Sequence, residues 1–171
     1  MNRFLLFFIR IVLNVLPEIS TPRFNVFLFT LFKNKTFKIH KSARIFSSVK
    51  IFGKIKVSIG ANTYIGHQSI ITGGANAFIK IGSDCDISDR VSVFCGTHEV
   101  DGSQLKAAGR GIGKDITIGN GVWIGYGALI LPGVNISDNV IVAAGCVVHK
   151  NIPSHTIVGG NPMKIIRKIN E

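Results

Sequence analysis

Aliphatic residues recur every six positions along most of the chain. Ile118, Ile124, Ile130, Ile136, Val142 and Val148 follow one another without a break. The position four after each of the first five is small or β-branched: Val122, Ala128, Val134, Val140 and Cys146. The same grammar runs through Ile39, Ile45, Ile51 and Val57, slips by two, resumes at Ile59, Ile65 and Ile71, and returns at Ile81, Ile87 and Val93. A period of six fits neither a 3.6-residue helix nor the two-residue alternation of long strands. It fits a chain that lays down one flat face and one turn per hexad. Three faces then close a triangular coil, aliphatics stack inward, and each coil pairs its backbone with the next. The inward side chain at the fourth position must be small because it shares a narrow corner. The pattern predicts an all-β fold, a parallel β-helix of hexapeptide repeats over residues 38–153, with 1–37 before it and a tail of 154–171 after it.

The stretch FLLFFIRIVLNVL (4–16) is apolar but short and broken by Arg10, too little to span a bilayer comfortably. No small-x-small cleavage site follows it, which argues against a signal peptide. A second apolar stretch, 24–32, comes after Pro17 and Pro22, so residues 1–37 read as two short helices. Two roles stay open for residues 1–36: packing on the protein itself or on another subunit, and shallow insertion at an anionic bilayer surface.

Charge sharpens that picture. Residues 1–56 carry eleven basic side chains against Glu18 alone, whereas the remainder is nearly neutral. A nucleic-acid binder would spread its charge over the fold or along a recognition helix. Here a surface-contacting end joins a separate working body. With 46% apolar and 17% charged residues, disorder is excluded. Three cysteines without a CxxC argue against a disulfide framework and for a reduced compartment. The expected location is the cytoplasm, peripheral on the inner face of the cytoplasmic membrane.

The repeat is interrupted once at length, by FCGTHEVDGSQLKAAGRGIGKD (94–115). Excursions from a rigid scaffold concentrate functional residues. This one holds His98, Glu99 and Asp101, and an imidazole titrating near neutrality is suited to general-base work. Cys95, three residues earlier, admits a Cys-His nucleophile reading, but a small corner residue is preferred. Cys85 and Cys146 fall on inward small positions and read as core.

From Asp115 to Lys168 the sequence resembles the C-terminal half of the hexapeptide-repeat acetyltransferases. That superfamily includes galactoside, maltose and serine acetyltransferases and the O-acetyltransferases of surface polysaccharides. The resemblance covers roughly residues 57–168 and rests on VWIG-x-GA-x-I-x-PGV and GNP-x-K-x-I-R. It implies a left-handed coil, a homotrimer, acetyl-CoA as donor and a site between adjacent subunits. By position, His98 matches the family's catalytic base and the Tyr126 amide its oxyanion donor. Asp101 or Glu99 would orient the His98 ring, and Glu99 and His67 would face the acceptor. Trp123 would line the donor groove. Gly125, Tyr126, Ala144, Gly145, His149 and Lys150 match the pantetheine track, with His149 where relatives often carry Thr. Lys150, Lys164 and Arg167 would serve the phosphates; a solvated tail is the other reading of the last two.

The same coil hosts γ-class carbonic anhydrases, whose zinc needs two histidines five residues apart. None of His40, His67, His98, His149 and His155 forms such a pair, so no metal is expected. The expected activity is direct acetyl transfer to a sugar hydroxyl of a surface polysaccharide or its precursor. N-acetylation of a nucleotide-linked amino sugar and a non-catalytic scaffold are the alternatives.

Overall fold

The computed structural model describes residues 37–100, 102 and 106–169. The expected N-terminal helices and membrane contact fall on residues outside these. The described residues form nineteen strands and no helix.

Three sheets make the faces of a triangular spool, and the chain visits them in turn. Face A holds β1 (Phe37–Ile39), β4 (Lys56–Ile59), β7 (Phe78–Ile81), β12 (Ile116–Ile118) and β15 (Asn135–Ile136). Face B holds β2 (Arg44–Ile45), β5 (Tyr64–Ile65), β8 (Asp86–Ile87), β13 (Trp123–Ile124), β16 (Ile141–Val142) and β18 (Thr156–Gly159). Face C holds β3 (Lys50–Gly53), β6 (Ile70–Gly73), β9 (Ser92–Phe94), β14 (Leu129–Ile130) and β17 (Val147–Val148). Strands within each face pair in parallel, which is the expected β-helix. Two antiparallel elements are added. β10 (Gly96–Val100) and β11 (Ala108–Gly113) form a hairpin outside the faces. β19 (Lys164–Lys168) folds back on β18 at the end of face B.

Register turns the separate sequence runs into continuous columns. On face A, Ile39, Ile59, Ile81, Ile118 and Ile136 stack in that order. On face B the column is Ile45, Ile65, Ile87, Ile124, Val142 and Val158. Most of these side chains are fully buried, each stabilising the fold by about 1.5–3 kcal/mol relative to exposure. Where a hydroxyl takes an inward corner place it is satisfied: Thr63 Oγ1 donates to the Gly82 carbonyl at 2.7 Å.

The three edges differ. Across the A–B edge the aliphatic spacing is always six, as in Ile59 to Ile65 and Ile118 to Ile124. Its turns hold a left-handed residue in every coil after the first: Asn62, Asp84, Gly121, Asn139 and His155. Short polar side chains tolerate that conformation and here knit coil to coil. The Asn62 side-chain amide donates to Asp84 Oδ1 at 2.9 Å, the Ser83 amide to Asn120 Oδ1 at 2.9 Å, and the Asn120 amide to Asp138 Oδ1 at 2.6 Å.

Every insertion lies at the C–A edge. Ile51 to Ile59 spans eight residues, Ile71 to Ile81 ten, and Val93 to Ile118 twenty-five, before Ile130 to Ile136 returns to six. The hairpin is therefore the largest of three bulges stacked on one edge.

Candidate functional site

The hairpin is rooted firmly. The Lys114 amide donates to the Cys95 carbonyl at 2.8 Å, and the Phe78 amide donates to Asp115 Oδ1 at 2.7 Å, tying the returning strand to the coil below. Gly113 lies against the Gly74 backbone and Ala77. Cys95 is buried at this root, and burial pushes its thiol up from the usual range, as it does for Cys85 and Cys146. A thiol kept protonated and out of solvent is no nucleophile, so the corner-residue reading of Cys95 stands.

His98 sits on β10 directly opposite Gly111. The ring lies over that glycine's bare Cα: a Cβ there would meet His98 Nε2 at 3.8 Å, ordinary contact. His98 is exposed, and its ring makes no hydrogen bond among the described residues. An imidazole placed this way can accept a proton from a bound hydroxyl. Glu99 is also exposed and lies where the hairpin register shifts, between His98 and Val100. Asp101, the other candidate for orienting the ring, lies outside the described residues.

Tyr126 belongs to a different edge. It follows β13, so it lies where face B turns into face C, whereas His98 leaves the spool where C turns into A. Within one chain the two do not meet. The Tyr126 ring is half-exposed and its carbonyl accepts from the Gly145 amide at 2.8 Å. Two coil-steps earlier in the same column, the His67 amide donates to Asp89 Oδ1 at 2.8 Å. The amides of Tyr126 and Ala144 have no such acceptor among the described residues. Above them Gly145 is exposed, with φ +66° and nothing within 4 Å of an added Cβ. The upper B–C edge is thus an open track of bare main-chain groups, able to take an extended amide-bearing chain such as pantetheine.

Gly125 is buried, and a Cβ on it would stand 2.6 Å from the Ala144 nitrogen, so it serves the close stacking under the track. Trp123 is half-exposed on face B beside Asp86 and Ile141. His149 and Lys150 are exposed after β17; His149 Nδ1 lies 3.3 Å from the Val147 carbonyl. Lys164 and Arg167 lie exposed on β19, where the Arg167 guanidinium donates to the Lys168 carbonyl at 3.0 Å. His67 is half-buried, its ring centroid 3.9 Å from that of Phe46 and its Nδ1 3.2 Å from Ser48 Oγ. That places it at the B–C edge, away from His98.

The sequence reading passed over two residues. Arg90 stands 5.8 Å from the Tyr126 ring centroid and donates to Gln68 Oε1 at 2.8 Å. Asp115 anchors the hairpin. Both contacts span 36–37 residues, visible only once the nineteen inserted residues are subtracted from the repeat. Among the described residues no cluster of three metal-ligating side chains occurs.

Comparison with known proteins gives concordant results. Residues 115–150 match the bacterial transferase hexapeptide (six repeats) family. The galactoside O-acetyltransferase of Escherichia coli (strain K12) is 36% identical over 115 residues, 67% of this chain and 55% of that protein. A maltose O-acetyltransferase from Clostridium difficile 630 superposes with a TM-score of 0.67 at 30% identity, covering 94% of this chain and 82% of that one. A galactoside acetyltransferase in complex with coenzyme A superposes at 0.66 with 28% identity, covering 90% and 75%. The chain spans about half the length of the curated relatives it matches.

Proposed function

The chain belongs to the hexapeptide-repeat acetyltransferases, and from that membership we propose that it moves an acetyl group from acetyl-CoA to a sugar hydroxyl. The acceptor is a surface polysaccharide or its precursor. One observation carries the reading: the exposed imidazole and the open main-chain track lie on the two edges that bound a single face.

That face also carries apolar side chains on its exterior. Its outward column runs Lys50, Ile70, Ser92, Leu129 and Val147, and Phe52 and Phe94 stand exposed in the next. Face A presents Lys38, Ser58, Lys80, Thr117 and Asn135 at the corresponding places. Three copies arranged with face C toward a common three-fold axis bring the C–A edge of each against the B–C edge of the next. His98 of one copy then meets the Tyr126 amide of its neighbour, so the homotrimer makes the site.

The chemistry needs no covalent enzyme intermediate, because the thioester is already activated. The acceptor oxygen attacks the thioester carbonyl carbon as His98 takes its proton. The Tyr126 N–H stabilises the resulting oxyanion. When the C–S bond breaks, the imidazolium returns the proton to the departing thiolate, leaving an acetyl ester and free coenzyme A. Ala144 and Gly145 accept the pantetheine arm, and Lys150, Lys164 and Arg167 take the phosphates. Residues 1–36 hold the enzyme peripherally on the cytoplasmic membrane face. No helix among the described residues is long and apolar enough to cross a membrane.

The test is acetyl transfer against a glycan panel, with mass spectrometry of the products. Acetyl esters on sugar hydroxyls are expected; products acetylated only on amines would overturn the O-transfer reading. Mixing His98→Ala subunits with Ala144→Trp subunits tests the shared site. Two inactive parents should regain part of the activity together, and failure to do so would return the site to one chain.

A further inference from the structure

The charge on the spool itself is as unevenly placed as that on the leader. The first coil and the opening residue of the second, 37–56, carry Lys38, Lys41, Arg44, Lys50, Lys54 and Lys56 and no acidic residue. All six are exposed, and none pairs with a carboxylate among the described residues. They do not share a face. Lys38 and Lys56 stand on face A, Lys41 at the A–B edge, Arg44 on face B, Lys50 on face C and Lys54 at the C–A edge. The next stretch, 57–77, contains no Lys, Arg, Asp or Glu at all. Carboxylates appear only beyond it, with Asp84, Asp86 and Asp89. The cations thus form a ring around one end of the spool, five within the first coil and Lys56 at the start of the second, about 5 Å further along the axis.

We propose that this ring is a docking surface for an anionic phospholipid bilayer, which holds the spool upright with its first coil at the headgroups. A linear polyanion would be matched by a stripe along an edge or face; a planar ring perpendicular to the spool axis matches a planar surface. The chain that leads into this coil is itself rich in cations and apolar residues, so both contacts fall at one end. The inference stands on coil 1 and does not require residues 1–36 to insert. In a trimer with parallel axes the three rings are coplanar, and their attraction adds. Its consequence for the site rests on the transferase reading. The hairpin leaves the third coil, so His98 stands about 10–15 Å above the ring, within reach of the first sugars of a lipid-linked glycan.

The test is flotation of the full chain with phosphatidylcholine vesicles with and without phosphatidylglycerol. The variant replaces Lys38, Lys41 and Lys56 by Gln, and Lys50 is kept because face C lies toward the three-fold axis of the proposed trimer. Arg44 is spared because its guanidinium lies over the Tyr64 ring at 5.4 Å, and Lys54 because it stands on the C–A edge that carries the hairpin. Partition onto the anionic vesicles should fall about tenfold or more, and the Lys→Arg variant at the same positions should retain it. Turnover on a soluble acceptor should be unaffected, which separates failure of this proposal from failure of the transferase reading. Unchanged partition of the Gln variant would overturn the proposal. So would parental binding that ignores added salt, or a loss seen only for an anionic polysaccharide or nucleic acid.

Discussion

The A–B and C–A edges run the length of one spool and are made from the same hexads, yet they have been put to opposite uses. Along A–B each turn is the minimum length, each left-handed position is filled, and side-chain carboxamides and carboxylates clasp the amides of the coil beneath. Along C–A the turns swell by two, four and then nineteen residues, and the largest carries the exposed imidazole. The difference shows how a rigid repeat acquires chemistry. Stability is concentrated in the columns and in one closed edge, so another edge is free to depart from the pattern without loosening either.

Substitutions on the two edges should therefore separate activity from stability. The largest effect is expected at the open one. His98→Ala should lower turnover by about two to four decades while its melting temperature stays at the parental value. Coenzyme release kinetics and calorimetry together check this, and turnover at the parental level would remove the ring from the mechanism. Next comes Gly119→Ala on the closed edge, where a methyl would intrude on the Asp138 side chain and backbone. It should cost about 2–3 kcal/mol in urea unfolding with turnover per folded molecule intact. A silent Gly119→Ala would mean that tight stacking is not what closes this edge. Smallest is Asp138→Ala, which strips the Asn120 amide of its acceptor. A loss of about 1 kcal/mol is expected, since that exposed amide can turn to water. A cost well beyond that would show the clasps acting as a coupled network.

The inward columns were legible because nothing except a six-residue solenoid needs Ile118, Ile124, Ile130 and Ile136 at those places. The joining of the early runs to the same columns was less so. Slips of two and four residues look like decay of the pattern until pairing shows that only one edge absorbs them. The hairpin had no signal of its own: β10 and β11 are short, polar and glycine-rich, and lack apolar alternation. His98 could be singled out by its place in the one long interruption, and its proposed role came from resemblance. The Arg90–Tyr126 contact and the Asp115 anchor were hidden because coil-to-coil neighbours are remote in sequence. The opposition of His98 and Tyr126 on two edges is likewise a property of the closed triangle, absent from any linear motif.

Strand β19 has a bearing on solubility. A stack of parallel strands ends in a row of unsatisfied amides and carbonyls, a template on which a second molecule could continue the ladder and seed a fibre. By doubling back antiparallel on β18, the chain covers that template on face B with its own backbone. The margin it leaves outermost bears Lys164, Arg167 and Lys168, and like charges facing one another discourage end-to-end accretion.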